Sequence, residues 1–150
     1  MAIKPATKKP TTKLRILAAL CKKMNKTHFL NIDLDLESEQ EISRLVEELS
    51  LNLTQMTYHK CEDMYRASFE SSESGIEDII EKYISTIHAL TSVASEQWKN
   101  CKKREFNVGF QAENTPRGYV QSISSESLSE ISSVSGQIGI TIYAPESNFT

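Results

Sequence analysis

The segment Leu30-Asn-Ile-Asp-Leu-Asp-Leu36 alternates apolar and polar residues without a break. Successive side chains of a strand point to opposite faces, so Leu30, Ile32, Leu34 and Leu36 share one side and Asn31, Asp33 and Asp35 the other. Such a strand buries one face and holds an acidic face in water. It calls for a layer of apolar side chains on one side only, which predicts helices packed on a single face of a sheet.

The rest of the chain supplies that layer. Ser38-Glu-Gln-Glu41 has the form of a capping box and predicts a helix over 39–50, with Ile42, Leu45, Val46 and Leu49 as its apolar stripe. Leu51 and Leu53, with Met56 or Tyr58, predict a strand in 51–59. A turn at Lys60–Asp63 and a second strand, Met64–Glu70, follow. Ser74-Gly-Ile-Glu77 is another capping box, and Ile76, Ile79, Ile80, Tyr83, Ile84, Ile87, Leu90, Val93 and Ala94 continue its stripe. One helix over 75–100 is expected, roughly 39 Å long at 1.5 Å per residue. Trp98 should then pack on the next strand, in which Phe106, Val108 and Phe110 alternate.

Asn114–Gly118 reads as a turn and Gly118–Ile123 as a strand. Ser124 or Ser125 caps a short helix through Leu128, Ile131 and Val134, which Gly136 is expected to end in the left-handed conformation. Gln137–Ala144 is β-rich and apolar, as a central strand should be, and Pro145 stops it. The order β-α-β-β-α-β-β-α-β predicts one α+β domain over 27–145, with helices on one face of a largely antiparallel sheet. A polar tail, 146–150, follows.

Charge is distributed unevenly along the chain. Residues 1–26 hold eight of the 17 Lys and Arg and no acid, so the remaining 124 residues carry a surplus of eleven negative charges. Residues 1–12 mix Pro, Thr and Lys with little to bury and should be disordered. Leu14, Leu17, Cys21 and Met24 stand at helical spacing, so 13–25 predicts a short basic amphipathic helix. The uncharged run Ile16–Cys21 is too short for the core of a secretory signal. No aromatic side chain is interleaved with this arm, so it lacks a base-stacking platform and nucleic-acid binding through 1–26 is the less favoured reading. No apolar run approaches the length of a membrane span.

Within the body, negative charge gathers at Asp33, Asp35, Glu37, Glu39, Glu47 and Glu48. Outward carboxylates of this kind steer and select a basic partner. These six are therefore the expected partner-binding residues. A second cluster, Glu73–Glu81, falls on a helix first turn, where acids already complement the dipole.

Little points to catalysis. His59 and Cys61 are close but lack a Cys-x-x-Cys or His-x-x-x-His companion, so no metal and no cofactor is expected. Neither a Gly-rich phosphate loop nor a Gly-x-Ser-x-Gly elbow is present, and His28 and His88 stand without a nucleophile in the pattern. Cys101 lies among Lys99, Lys102, Lys103 and Arg104, which would lower the pKa of an exposed thiol and make it reactive. Three cysteines spaced at 21, 61 and 101 form no disulfide framework and suit a reducing cytoplasm.

The succession from Met64–Glu70 to Gly136–Tyr143 resembles a family of small bacterial α+β domains with immunity-protein-like members, over about residues 28–144. The ending Ile123-Ser-Ser-Glu-Ser-Leu-Ser-Glu-Ile131 through Gly136 to Tyr143 carries most of that resemblance. It implies a cytoplasmic, non-catalytic protein that neutralises a toxin, and the acidic residues would occlude the active site of a basic toxin domain. The alternative is a nucleic-acid-associated adaptor that uses the basic arm.

Overall fold

The computed structural model describes residues 26–145, so all but the last residue of the arm expected over 1–26, its amphipathic segment and the tail 146–150 lie outside the described residues. In chain order the elements are β1 (His28–Ser38), α1 (Ser43–Leu49), β2 (Thr54–Cys61), β3 (Met64–Glu70), α2 (Ile76–His88), α3 (Ser92–Asn100), β4 (Lys103–Gln111), α4 (Ser125–Ser133) and β5 (Gln137–Tyr143). They form an α+β fold whose five-stranded sheet runs β2-β3-β1-β4-β5. All pairings are antiparallel except β4 with β5.

β1 is the central strand, and its alternation works as the sequence predicts. Ile32, Leu34 and Leu36 are buried in one core with Leu45, Leu49, Phe69, Ile80, Tyr83 and Phe106. Leu30 departs from that pattern. The β1–β4 register shifts between Phe29 and Ile32, so Leu30 and Asn31 together stand opposite Gly109. This bulge turns Leu30 out to 43% exposure, and Phe29 takes the inner place, its ring edge-on to Phe110. Glycine makes room for it, since a Cβ at Gly109 would lie 3.3 Å from Asn31 Oδ1.

The helices begin and end where tertiary partners allow. Ser38 is the buried last residue of β1, not a cap, and α1 starts five residues later. Donors at the start of α1 reach distant side chains instead: Leu45 N donates to Gln97 Oε1 (2.7 Å) and Ile42 N to Tyr58 Oη (3.3 Å). Ser74 does not cap α2 either, and Gly75 is its N-cap. Glu77 turns to α4, accepting from the Ser124 N–H (2.8 Å) and from the hydroxyls of Ser124 and Ser127. Ser124 does cap α4, accepting from Ser127 N.

The single helix expected over 75–100 is divided at Ala89–Thr91 into α2 and α3. A straight 26-residue helix would overshoot strands of this length, which span roughly 23–36 Å. The break lets α3 pack on α1, and Trp98 Nε1 donates to Val134 O (2.9 Å), tying α3 to the end of α4. No strand forms over 118–123; residues 112–124 link β4 to α4 and contain a cis Thr115–Pro116 bond. The α4 crossover makes β5 parallel to β4 and places it at the sheet edge rather than the centre. The left-handed residue after α4 is Ser135 (φ 58°), not Gly136. Gly136 is there for space, because a Cβ would come 2.6 Å from Phe106 Cε2.

Candidate protein-binding face

The helices cover one side of the sheet, and no described element covers the other. β1 presents Asn31, Asp33, Asp35 and Glu37 there, half-exposed, and the register sets their neighbours. Asp33 stands between Glu70 and Asn107, Asp35 between Ser68 and Glu105, and Glu37 between Arg66 and Lys103.

The carboxylates of this face fall into two groups. Glu37 and Glu105 have cations: Arg66 Nε is 3.5 Å from Glu37 Oε1, and Lys103 Nζ is 3.0 Å from Glu105 Oε1. Burial alone would raise the Glu105 pKa, but hydrogen bonds from Lys103 and Gln137 hold it below the ordinary value. The hydrogen bond to Glu105 likewise raises the Lys103 pKa.

Asp33, Asp35 and Glu70 are held by neutral donors. Asn31 Nδ2 donates to Asp33 Oδ1 (3.0 Å) and Glu70 Oε1 (3.2 Å). Ser68 Oγ donates to Asp35 Oδ1 (2.8 Å), and Asn107 Nδ2 lies 3.4 Å from Asp35 Oδ2. Thr141 donates to Asn107 Oδ1 and so keeps that amide turned toward Asp35. Among the described residues, no Lys or Arg is within ion-pair distance of these three carboxylates. Burial first, then repulsion from Asp35 and Glu70, raises the Asp33 pKa.

A raised folded-state pKa means that ionised Asp33 costs stability at neutral pH, and the cost disappears as pH falls through the raised value. Asp33→Asn keeps an acceptor for Asn31. It is expected to raise the melting temperature at pH 7 by about 2–4 °C, through loss of that penalty. Thermal melts near pH 3, below the ordinary value of 3.8, should show the gain gone.

The six residues singled out from the sequence are not all on this face. Asp33, Asp35 and Glu37 are. Glu39 lies just past β1, 3.5 Å from Lys102 Nζ. Glu47 and Glu48 belong to α1, in the layer covering the opposite side of the sheet, so residues 33–48 form no single acidic edge. Glu47 is exposed beside Arg44 (3.6 Å). Glu48 has a structural role: it accepts from Thr91 N (2.9 Å), Thr91 Oγ1 (2.6 Å) and Arg44 Nε (2.8 Å), holding the start of α3. The Thr91 hydrogen bonds, ahead of Arg44, lower its pKa. Glu70 and Glu105 join the face through strand register. Their outward positions were signalled by the alternation in 64–70 and 104–111, but their proximity to Asp33 and Asp35 was not.

The other chemical candidates resolve differently. His59 stands beside Arg66 in the register, and Cys61 is exposed at the end of β2. His28 Nδ1 is 2.7 Å from Lys26 O. Cys101 is buried, its thiol 3.3 Å from Gln97 O, and burial pushes its pKa up to about 11 against the smaller lowering by Arg104. The basic run therefore does not activate it. In a Cys21→Ser/Cys61→Ser variant at pH 8, a disulfide reagent should label Cys101 at least about 100-fold more slowly than in denaturant.

A cleft of about 350 Å³ lies at the ends of α2, α3 and α4, lined by His88, Trp98, Lys99 and Arg104 among others. Arg104 is occupied with the fold there: Nη1 donates to the carbonyls of Trp98, Lys99 and Cys101, and Nε to that of Ser135. Among the described residues no group of three or more His, Cys, Asp or Glu is placed to hold a metal ion. No described helix is long and apolar enough to cross a membrane. No protein-family model matches the chain, and comparisons with curated proteins and with solved structures gave no match.

Proposed function

We propose that the open sheet face docks a basic protein and that the chain acts as a stoichiometric, non-catalytic inhibitor. In this reading it is a cytoplasmic immunity protein that covers the active site of a basic toxin domain. The supporting observation is the trio Asp33, Asp35 and Glu70, three carboxylates on adjacent strands held, among the described residues, only by amide and hydroxyl donors. Lys and Arg side chains of a partner would supply the cations that the fold withholds. Carboxylates spaced roughly 5 Å across strands and 7 Å along them offer a flat grid for such side chains. Electrostatic complementarity of this kind accelerates encounter and rejects wrong partners. Glu37 and Glu105 flank the trio, already paired.

The test uses the full chain and its Asp35→Lys/Glu70→Lys variant as baits in nuclease-treated lysate of the source organism, read by mass spectrometry. The expected result is one basic protein near one-to-one on the wild-type bait, released by salt and absent from the variant. Equal capture by both baits removes the open face from the mechanism. Nucleic acid or ribosomal proteins on both baits would support the adaptor reading, in which residues 1–26 contact phosphates.

A further inference from the structure

The helical side of the sheet is not covered to its edge. β5 turns Ile138, Ile140 and Ile142 to that side, in register with Phe106, Val108 and Phe110. Yet Ile140 and Ile142 are 68% and 66% exposed. Tyr119 lengthens the strip, its ring 5.8 Å from that of Phe110 and edge-on to it. On α4, Leu128 is exposed as well. Single exposed apolar residues are ordinary, whereas a row of them on one strand with aromatic neighbours marks a docking surface.

The described chain begins at the same corner. Thr27 N donates to Thr115 O (2.8 Å), and the Thr27 hydroxyl donates to Glu113 O (3.1 Å) while accepting from Glu113 N (2.9 Å). Ala112 N donates to Tyr143 O (2.9 Å), so Thr27 is anchored beside the C-terminal end of β5. Only Asn25 and Lys26 separate Thr27 from Met24, the last of the apolar positions Leu14, Leu17, Cys21 and Met24.

We propose that residues 13–25 dock as a helix on Ile140 and Ile142 of their own chain and complete the helical layer over β5. The lengths agree: thirteen helical residues span roughly 20 Å and the seven of β5 roughly 23 Å. The charges agree as well. Lys13, Arg15, Lys22 and Lys23 flank the apolar positions, and α4 offers Glu126 and Glu130 around Leu128 with no Lys or Arg. A two-residue tether gives the segment a high effective concentration at this site, which favours it over the same segment of a second copy.

Limited trypsinolysis of the full chain tests this, with cleavage after Lys22 and Lys23 compared with cleavage after Lys8. Docking should slow the former by at least about ten-fold, independently of protein concentration. Leu17→Asp should abolish the difference, and so should Ile142→Asp, at a position 66% exposed. Equal cleavage rates in the wild type, or protection that survives Ile142→Asp, overturn the proposal. Protection that grows with protein concentration also overturns it, because the occupant would then be a second copy.

Discussion

Tyr83→Ala is expected to lower the unfolding free energy by about 3–5 kcal/mol, the range for removing a large buried ring. Against a total of about 5–15 kcal/mol for a domain, that is a large fraction of the stability. Tyr83 is fully buried on α2, and its ring meets Phe106 of β4 edge-on at 5.8 Å. Its hydroxyl lies 2.6 Å from Ile32 O and 3.1 Å from Phe69 O. The β1–β3 register stops at Asp33 and Glu70, so the phenol bridges the two strands just where their ladder ends. Burial raises its pKa and keeps the proton available to donate. Tyr83→Phe separates the ring from this bridge and should cost about 1–2 kcal/mol, the penalty for leaving buried acceptors short of a donor. Denaturant titration of both variants checks the pair. A phenylalanine variant as stable as wild type would show that the carbonyls do not need the hydroxyl.

The largest functional effect is expected from Asp35→Lys/Glu70→Lys. Two reversals replace attraction by repulsion in the centre of the proposed docking face. Affinity for the captured basic partner should fall by at least about 100-fold at low salt, largely in the association rate. Raising ionic strength should narrow the gap, because half-exposed charges are screened over about 8–10 Å at physiological salt. The fold should tolerate the change. Ser68 and Asn107 lose a carboxylate partner on a solvated face, while the mutual repulsion around Asp33 is relieved. A surface plasmon resonance series over salt, with a thermal melt of the variant, separates lost binding from lost structure. Wild-type affinity in a folded variant would rule out the face.

What could be read from the sequence was whatever a local period controls. The alternation of Ile32, Leu34 and Leu36 names both the buried and the acidic face of β1, and the stripe Ile76–Ile87 names the buried face of α2. Boundaries were lost where a distant side chain supplies the cap. Gln97 serves the start of α1, so the local capping box at Ser38 places that helix four residues early, whereas the box at Ser74 places the start of α2 within a residue. Glu48 serves the start of α3, after a break that no local signal marks. The bulge at Leu30 was hidden because it depends on Gly109, which pairs only in the folded sheet. For the same reason only three of the six acidic residues share the open face. Asp33, Asp35 and Glu37 follow from the period of one strand. The separation of Glu48 from them, and the arrival of Glu70 and Glu105 beside them, are products of topology.

The position of β1 also sets an order of events during synthesis. It lies at the middle of the sheet yet precedes every other described element, and its partner residues on β4 follow roughly 70 residues later, as Asp35 with Glu105. At about 5–20 residues per second, the ribosome delivers that partner several seconds after β1. During that interval the β2–β3 hairpin can close one side of β1 and α1 and α2 can cover the Ile32–Leu36 row, but the other edge of β1 stays open to misassembly. A nascent chain stalled before Lys103 should therefore be the form that chaperones hold longest.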